Sequence, residues 1–152
     1  MAEKSIVFDL HRTPNFINNM NRSGCFDVNH MDGSTKRYEF VLASACENNI
    51  MDNLTNVYAL NNNVTVINVG TTGQVALKYN NIGGNNRTIS SPPSDLTITI
   101  GNNDVFLKGL FLRDRITGYV LAYSIFDRTF PITNKMVIPK DRILWTIKNE
   151  SN

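Results

Sequence analysis

Asp95-Leu-Thr-Ile-Thr-Ile100 decides the fold class of this 152-residue chain. Leu96, Ile98 and Ile100 alternate with Thr97 and Thr99, which is the period-two pattern of a half-buried strand. A turn of Gly101-Asn-Asn-Asp104 follows, then a strand from Val105 to Arg113 and a second turn, Asp114-Arg-Ile-Thr-Gly118. Tyr119 to Phe126 reads as the next strand, and Arg142-Ile-Leu-Trp-Thr-Ile-Lys148 as the last. Strands at such intervals, broken by Gly, Asn and Asp turns, predict an antiparallel β-sandwich or a jelly-roll-like barrel.

Working outward, Ser5 to Leu10 reads as a first strand, with Ile6, Phe8 and Leu10 on one face. Residues 12–29 show no period and predict an extended N-terminal arm whose Phe16, Ile17 and Phe26 require burial against a core or a neighbour. The expected division is therefore an arm over 1–29 and one β-sandwich domain over 30–152. Met31-Asp-Gly-Ser34 suggests a hairpin turn, with Arg37 to Ala43 as the returning strand. Ser44, with Glu47 three residues on, is the one helix signal, so at most one short helix is expected over 44–54. Val64 to Val69 and Gln74 to Tyr79 read as two strands joined by Gly70-Thr-Thr-Gly73. Residues 80–94, with Gly83-Gly84, Asn85-Asn86 and Pro92-Pro93, read as a long polar loop.

Composition narrows the function classes. Fifteen Lys and Arg against thirteen Asp and Glu give a formal net charge of +2, and the basic residues are dispersed. A protein that tracks phosphates concentrates cations on one stripe, so no nucleic-acid partner is expected. No apolar run reaches the roughly 20 residues of a membrane helix, and Met1 to Asp9 lack the apolar core of a secretory leader. The expectation is a protein made in the cytoplasm, with no membrane partner. Cys25 and Cys46 have no CxxC spacing; a disulfide between them and two buried free thiols both remain open, with the thiols favoured for an unexported chain. The 22 asparagines cluster in candidate loops, where Asn tolerates left-handed backbone and caps its own turn.

No residue set names a reaction. His11 and His30 are the only histidines, and neither has a nucleophile placed beside it by the sequence. Asp27 to Gly33 is faintly like the start of a calcium loop but lacks its regular oxygens and closing Glu. The glycine pairs are followed by no Lys-Ser/Thr, so they are turns rather than phosphate loops. No enzyme, metal or cofactor is expected. Tyr119 and Tyr123, four apart in a predicted strand with Leu121 and Ile125, are the candidate ligand-facing aromatics, although sandwich core is the plainer account of both. Trp145, beside Leu144 and Ile147, reads as core or interface.

Phe106-Leu-Lys-Gly-Leu-Phe-Leu-Arg-Asp-Arg-Ile-Thr-Gly-Tyr-Val-Leu-Ala-Tyr-Ser124, followed by Ile138-Pro-Lys-Asp-Arg-Ile-Leu-Trp-Thr-Ile147, resembles the C-terminal strands of small β-sandwich proteins in tailed-bacteriophage virions. The resemblance covers about the last third of the chain and is a strand-and-turn pattern, not a catalytic signature. It implies a non-enzymatic virion component: head decoration, head fibre or tail-associated adaptor, assembled in the host cytoplasm. The expected partners are further copies of the chain, with a trimer favoured, and other virion proteins. Phe16, Ile17, Phe26 and Trp145 are then the expected assembly residues. The alternative is a carbohydrate- or receptor-binding module that uses Tyr119 and Tyr123.

Overall fold

The computed structural model describes residues 5–7, 20–25, 33, 35–46, 64–83, 86–141 and 143–148. These residues are all-β, as expected, and no helix occurs among them. The strands are β1 (Ser5–Val7), β2 (Met20–Cys25), β3 (Tyr38–Cys46), β4 (Val64–Ile67) and β5 (Gln74–Val75). They continue with β6 (Tyr79–Gly83), β7 (Asn86–Ser90), β8 (Leu96–Asp114), β9 (Val120–Ile138) and β10 (Ile143–Lys148). One sheet of seven strands runs β1-β9-β8-β3-β4, with β2 also pairing β9 and β5 also pairing β3. A second sheet runs β10-β7-β6. Every pair is antiparallel except β1 with β9.

One apolar core joins the two sheets. Phe40, Leu42, Leu110, Leu112 and Phe126 from the large sheet pack with Ile89, Leu144 and Trp145 from the small one. The Phe40 and Trp145 rings stack at 6.4 Å between centroids, within the range of an offset aromatic pair. The result is a nearly closed, barrel-like β architecture.

The β8–β9 hairpin is the spine, and it corrects the expected turn at 101–104. β8 runs unbroken through that segment, with Gly101 opposite Asn134 and Val105 opposite Ile132, so three residues of β8 face one of β9. A second irregularity lies at Lys108, where Leu107 pairs with Phe130 but Gly109 pairs with Ile125. With the added shift between Thr99, opposite Lys135, and Gly101, the first region carries three more residues on β8 than on β9, and the second three more on β9, so each inverts the alternation. Ile98 and Ile100, then Val105 and Leu107, then Leu110 and Leu112 therefore all meet the shared core. Polar Gly101-Asn-Asn-Asp104 looked like a turn because bulges and turns draw on the same residues.

Other sequence expectations are revised on similar grounds. Residues 20–25, assigned to an aperiodic arm, form β2 and pair with 122–126 of β9. Ser44 does not cap a helix: it lies in β3, and its hydroxyl donates to the Thr65 carbonyl. Gly70 to Gly73 is the expected turn between two strands, but those strands do not pair with each other. β4 and β5 follow one another along the same edge of β3, with 68–72 as an excursion between them. Phe40 N donates to Gly73 O at 2.9 Å, and a Cβ on Gly73 would stand 2.7 Å from the Phe40 carbonyl oxygen, so only glycine fits. The polar 80–94 segment is largely the β6–β7 hairpin, not a loop. The final strand, expected over 142–148, is β10 and pairs with β7 in the small sheet.

The two cysteines cannot meet. Cys25 lies on β2 and Cys46 on β3, with β9 and β8 between them. Three inter-strand spacings of about 4.8 Å put them on the order of 14 Å apart, against the roughly 7 Å that a disulfide spans. Cys46 is a free thiol.

Candidate docking site at the β8–β9 turn

The turn between β8 and β9 is built around Asp114, whose side chain is fully buried. Asp114 ends β8 opposite Tyr38, which brings Arg37 alongside it. Arg37 Nε lies 3.0 and 3.1 Å from the two carboxylate oxygens, and an Arg37 Nη lies 2.8 Å from Oδ2. Asp114 Oδ1 also accepts from Ile116 N at 2.8 Å and Thr117 N at 3.3 Å, closing an Asx-type turn. Burial alone would raise the carboxyl pKa, but the Arg37 guanidinium and the two backbone donors outweigh it and hold it below the usual carboxylate range.

The backbone completes the lock. Asp114 N donates to Tyr119 O, Arg115 N to Arg37 O and Gly118 N to Asp114 O, each at 2.8 Å. Tyr119 N donates to Thr117 Oγ1 at 3.2 Å. Gly118 takes φ +81°, the left-handed conformation that closes the turn. All six N–H groups from Asp114 to Tyr119 thus have acceptors within the protein. A turn with no unsatisfied donor can be buried by a partner without losing hydrogen bonds to water.

What this locked turn displays is apolar. Ile116 is 74% exposed and Tyr119 47% exposed. Exposed Lys36 and Arg115 flank them. Arg115 Nη1 donates to the Lys36 carbonyl, and the guanidinium also reaches Gln74 when that amide is oriented to accept. Neither contact neutralises the charge. Glu39 and Arg113, one step back in the β3–β8 register, pair at 2.9 Å and leave no excess there.

The candidate aromatics separate. Tyr119 precedes β9 and is exposed, whereas Tyr123 is 5% exposed and packs in a second cluster with Val41, Ala43, Phe111 and Ile125. They do not share a face with Leu121 as expected. Leu112 pairs with Ala122 and Arg113 with Val120, so Leu121 is an extra residue that inverts the alternation and turns into the shared core. Tyr123 offers no stacking face to solvent. Trp145 is 4% exposed, and its indole N–H donates to Tyr123 O at 3.1 Å and Ser124 Oγ at 3.0 Å. It is core within the chain. Phe16, Ile17 and Phe26 lie outside the described residues, as do His11, His30 and the calcium-like stretch apart from Gly33.

Two further features complete the chemistry on view. Burial pushes the Cys46 thiol up to about 11, against a smaller opposing effect of Lys108, so it stays protonated at neutral pH and is a poor nucleophile. A groove of about 390 Å³ lies between Leu77-Lys78 and Ser91-Pro92. Among the described residues no group of His, Cys, Asp and Glu is placed to hold a metal ion.

Sequence reasoning marked 114–118 as a turn but missed Ile116 and the Arg37–Asp114 anchor. The available signal was an isoleucine at the centre of a turn, where polar residues are the rule. No protein-family model, curated protein or solved structure matches this chain.

Proposed function

We propose that this chain is a non-enzymatic structural component of a virus particle, a rigid β-scaffold that self-associates and docks to other particle proteins. The observation that carries the reading is the locked β8–β9 turn. Asp114 fixes its conformation, its N–H groups are satisfied, and it presents Ile116 and Tyr119 outward. Preorganisation of that kind lowers the ordering cost of association. Central strands buried on both faces give the turn a stiff support. The resemblance of residues 106–124 and 138–147 to virion strands of tailed bacteriophages supports a phage particle as the setting.

The test is the solution mass of the purified chain by light scattering, from micromolar to submillimolar concentration. A discrete oligomer is expected. A monomer across the whole range contradicts the self-association on which the reading depends.

A further inference from the structure

The chain passes from one sheet to the other and back, and both passages line the same groove. Residues 76–78 lead from β5 in the large sheet to β6 in the small one, and residues 91–95 lead from β7 back to β8. Together with Gly33, residues 76–78 and 90–93 border about 390 Å³. That volume lies at the low end of the roughly 300–1,000 Å³ of small-molecule sites. The walls are already set. Gly33 N donates to Leu77 O at 2.9 Å, which ties the segment before β3 to the first passage. Gly33 takes φ +80°, and the Lys78 stem lies against it, so that a Cβ on Gly33 would stand 3.4 Å from Lys78 Cβ. In the second passage Pro92 is buried and Pro93 exposed, two rings with fixed φ and no N–H.

Among the described residues, Lys78 is the one charged member of this lining, and no hydrogen bond or ion pair engages its exposed ammonium. Asp95, two residues past Pro93, lies outside the lining and accepts from Lys140 N at 2.9 Å. A point cation beside an apolar wall suits a carboxylate carried on a compact body. Phosphate fits less well, because phosphate sites gather several N–H donors and prolines at 92 and 93 supply none. Ser90 and Ser91 bring hydroxyls, each with one donor and two acceptor sites, which suit hydroxyls on a ligand. We propose that this groove binds a small acidic sugar, its carboxylate on Lys78 and its ring against Ala76 and Pro93. Binding here needs no self-association, so it stands whether or not the chain assembles. One ion pair that stays partly in water and one ring contact give a dissociation constant on the order of 1–10 mM, weaker still in high salt.

An NMR titration of the isotope-labelled chain with D-glucuronate tests this. D-glucose supplies the ring without the carboxylate, and acetate the carboxylate without the ring. Glucuronate is expected to shift the Gly33, Lys78 and Ser91 amides along one saturating curve. Glucose and acetate are each expected to bind about fivefold more weakly or worse. Lys78→Met keeps the stem against Gly33 and removes only the charge. It is expected to weaken glucuronate about fivefold, the upper value for a partly solvated ion pair, and to leave glucose unchanged. Lys78→Arg is expected to retain glucuronate. Glucose or acetate that matches glucuronate overturns the proposal, as does a Lys78→Met chain that binds glucuronate as well as the wild type. So does the absence of saturable shifts at these amides up to about 50 mM, well above the expected dissociation constant.

Discussion

The two halves of the β8–β9 hairpin share one pair of strands and follow different sequence rules. Near the turn, β8 and β9 lie between β3 and β2, and both faces are covered. Leu110, Leu112 and Ala122 face the core shared with the small sheet, while Phe111, Tyr123 and Ile125 face the second cluster. Val120 through Phe126 are consequently all buried. In the far half, Thr97, Thr99, Phe106 and Pro131 are exposed, and Ile98, Leu107, Ile132 and Met136 carry the burial. Burial, not pairing, sets the pattern: a strand covered on both faces reads as an apolar run, and one covered on a single face alternates. The polar bulge at 101–104 is tolerated only in the half that meets water.

Substitution sharpens the contrast most at Phe111. Phe111→Ala empties the second cluster in the doubly covered half and is expected to cost about 3–5 kcal/mol in urea unfolding. A loss below about 1 kcal/mol would mean that this face is not a true core. Next comes Asp114→Ala, expected to cost about 3 kcal/mol. That is the low end for breaking a buried pair, because the Arg37 side chain keeps 27% exposure.

The same carboxylate predicts an acid dependence. Its folded pKa lies below the unfolded value of about 3.9, so its stabilisation is complete above that pH and disappears as pH falls through the folded pKa. Urea midpoints from pH 5 to 2 should therefore fall more steeply for wild type than for Asp114→Asn. Parallel curves would remove Asp114 as the anchor. Trp145→Phe keeps the ring stack on Phe40 but leaves Tyr123 O and Ser124 Oγ without the indole donor, at an expected cost of about 1–3 kcal/mol by thermal unfolding. The smallest effect is Phe106→Ala in the exposed half, expected within about 0.5 kcal/mol. A larger loss there would erase the difference between the halves.

The fold class was legible because Leu96 to Ile100, Tyr38 to Leu42 and Tyr119 to Phe126 carry strand patterns that local physics fixes. Continuity was not. Gly101 to Asp104 has turn composition, yet it is a bulge within β8, whereas Gly70 to Gly73 is a turn as expected but links two strands along a single edge instead of closing a hairpin. Only the partner strand makes these distinctions, and the partner is not local. The β6–β7 hairpin was hidden for the same reason: Asn80 to Ser90 is polar, and β10, the other strand that pairs with β7, lies more than fifty residues away. The candidate site was half legible. Asp114 to Gly118 announced a turn, but its lock depends on Arg37, which the β3–β8 register supplies.

The most direct test of the account is hydrogen exchange at the Ile116 and Thr117 amides, measured by NMR on the native chain at neutral pH. If Asp114 holds the turn ready for a partner, both amides exchange slowly, at rates comparable to those of their β8 neighbours Leu112 and Arg113. Exchange at the rate of an unstructured peptide would show an open turn and contradict the preformed docking element.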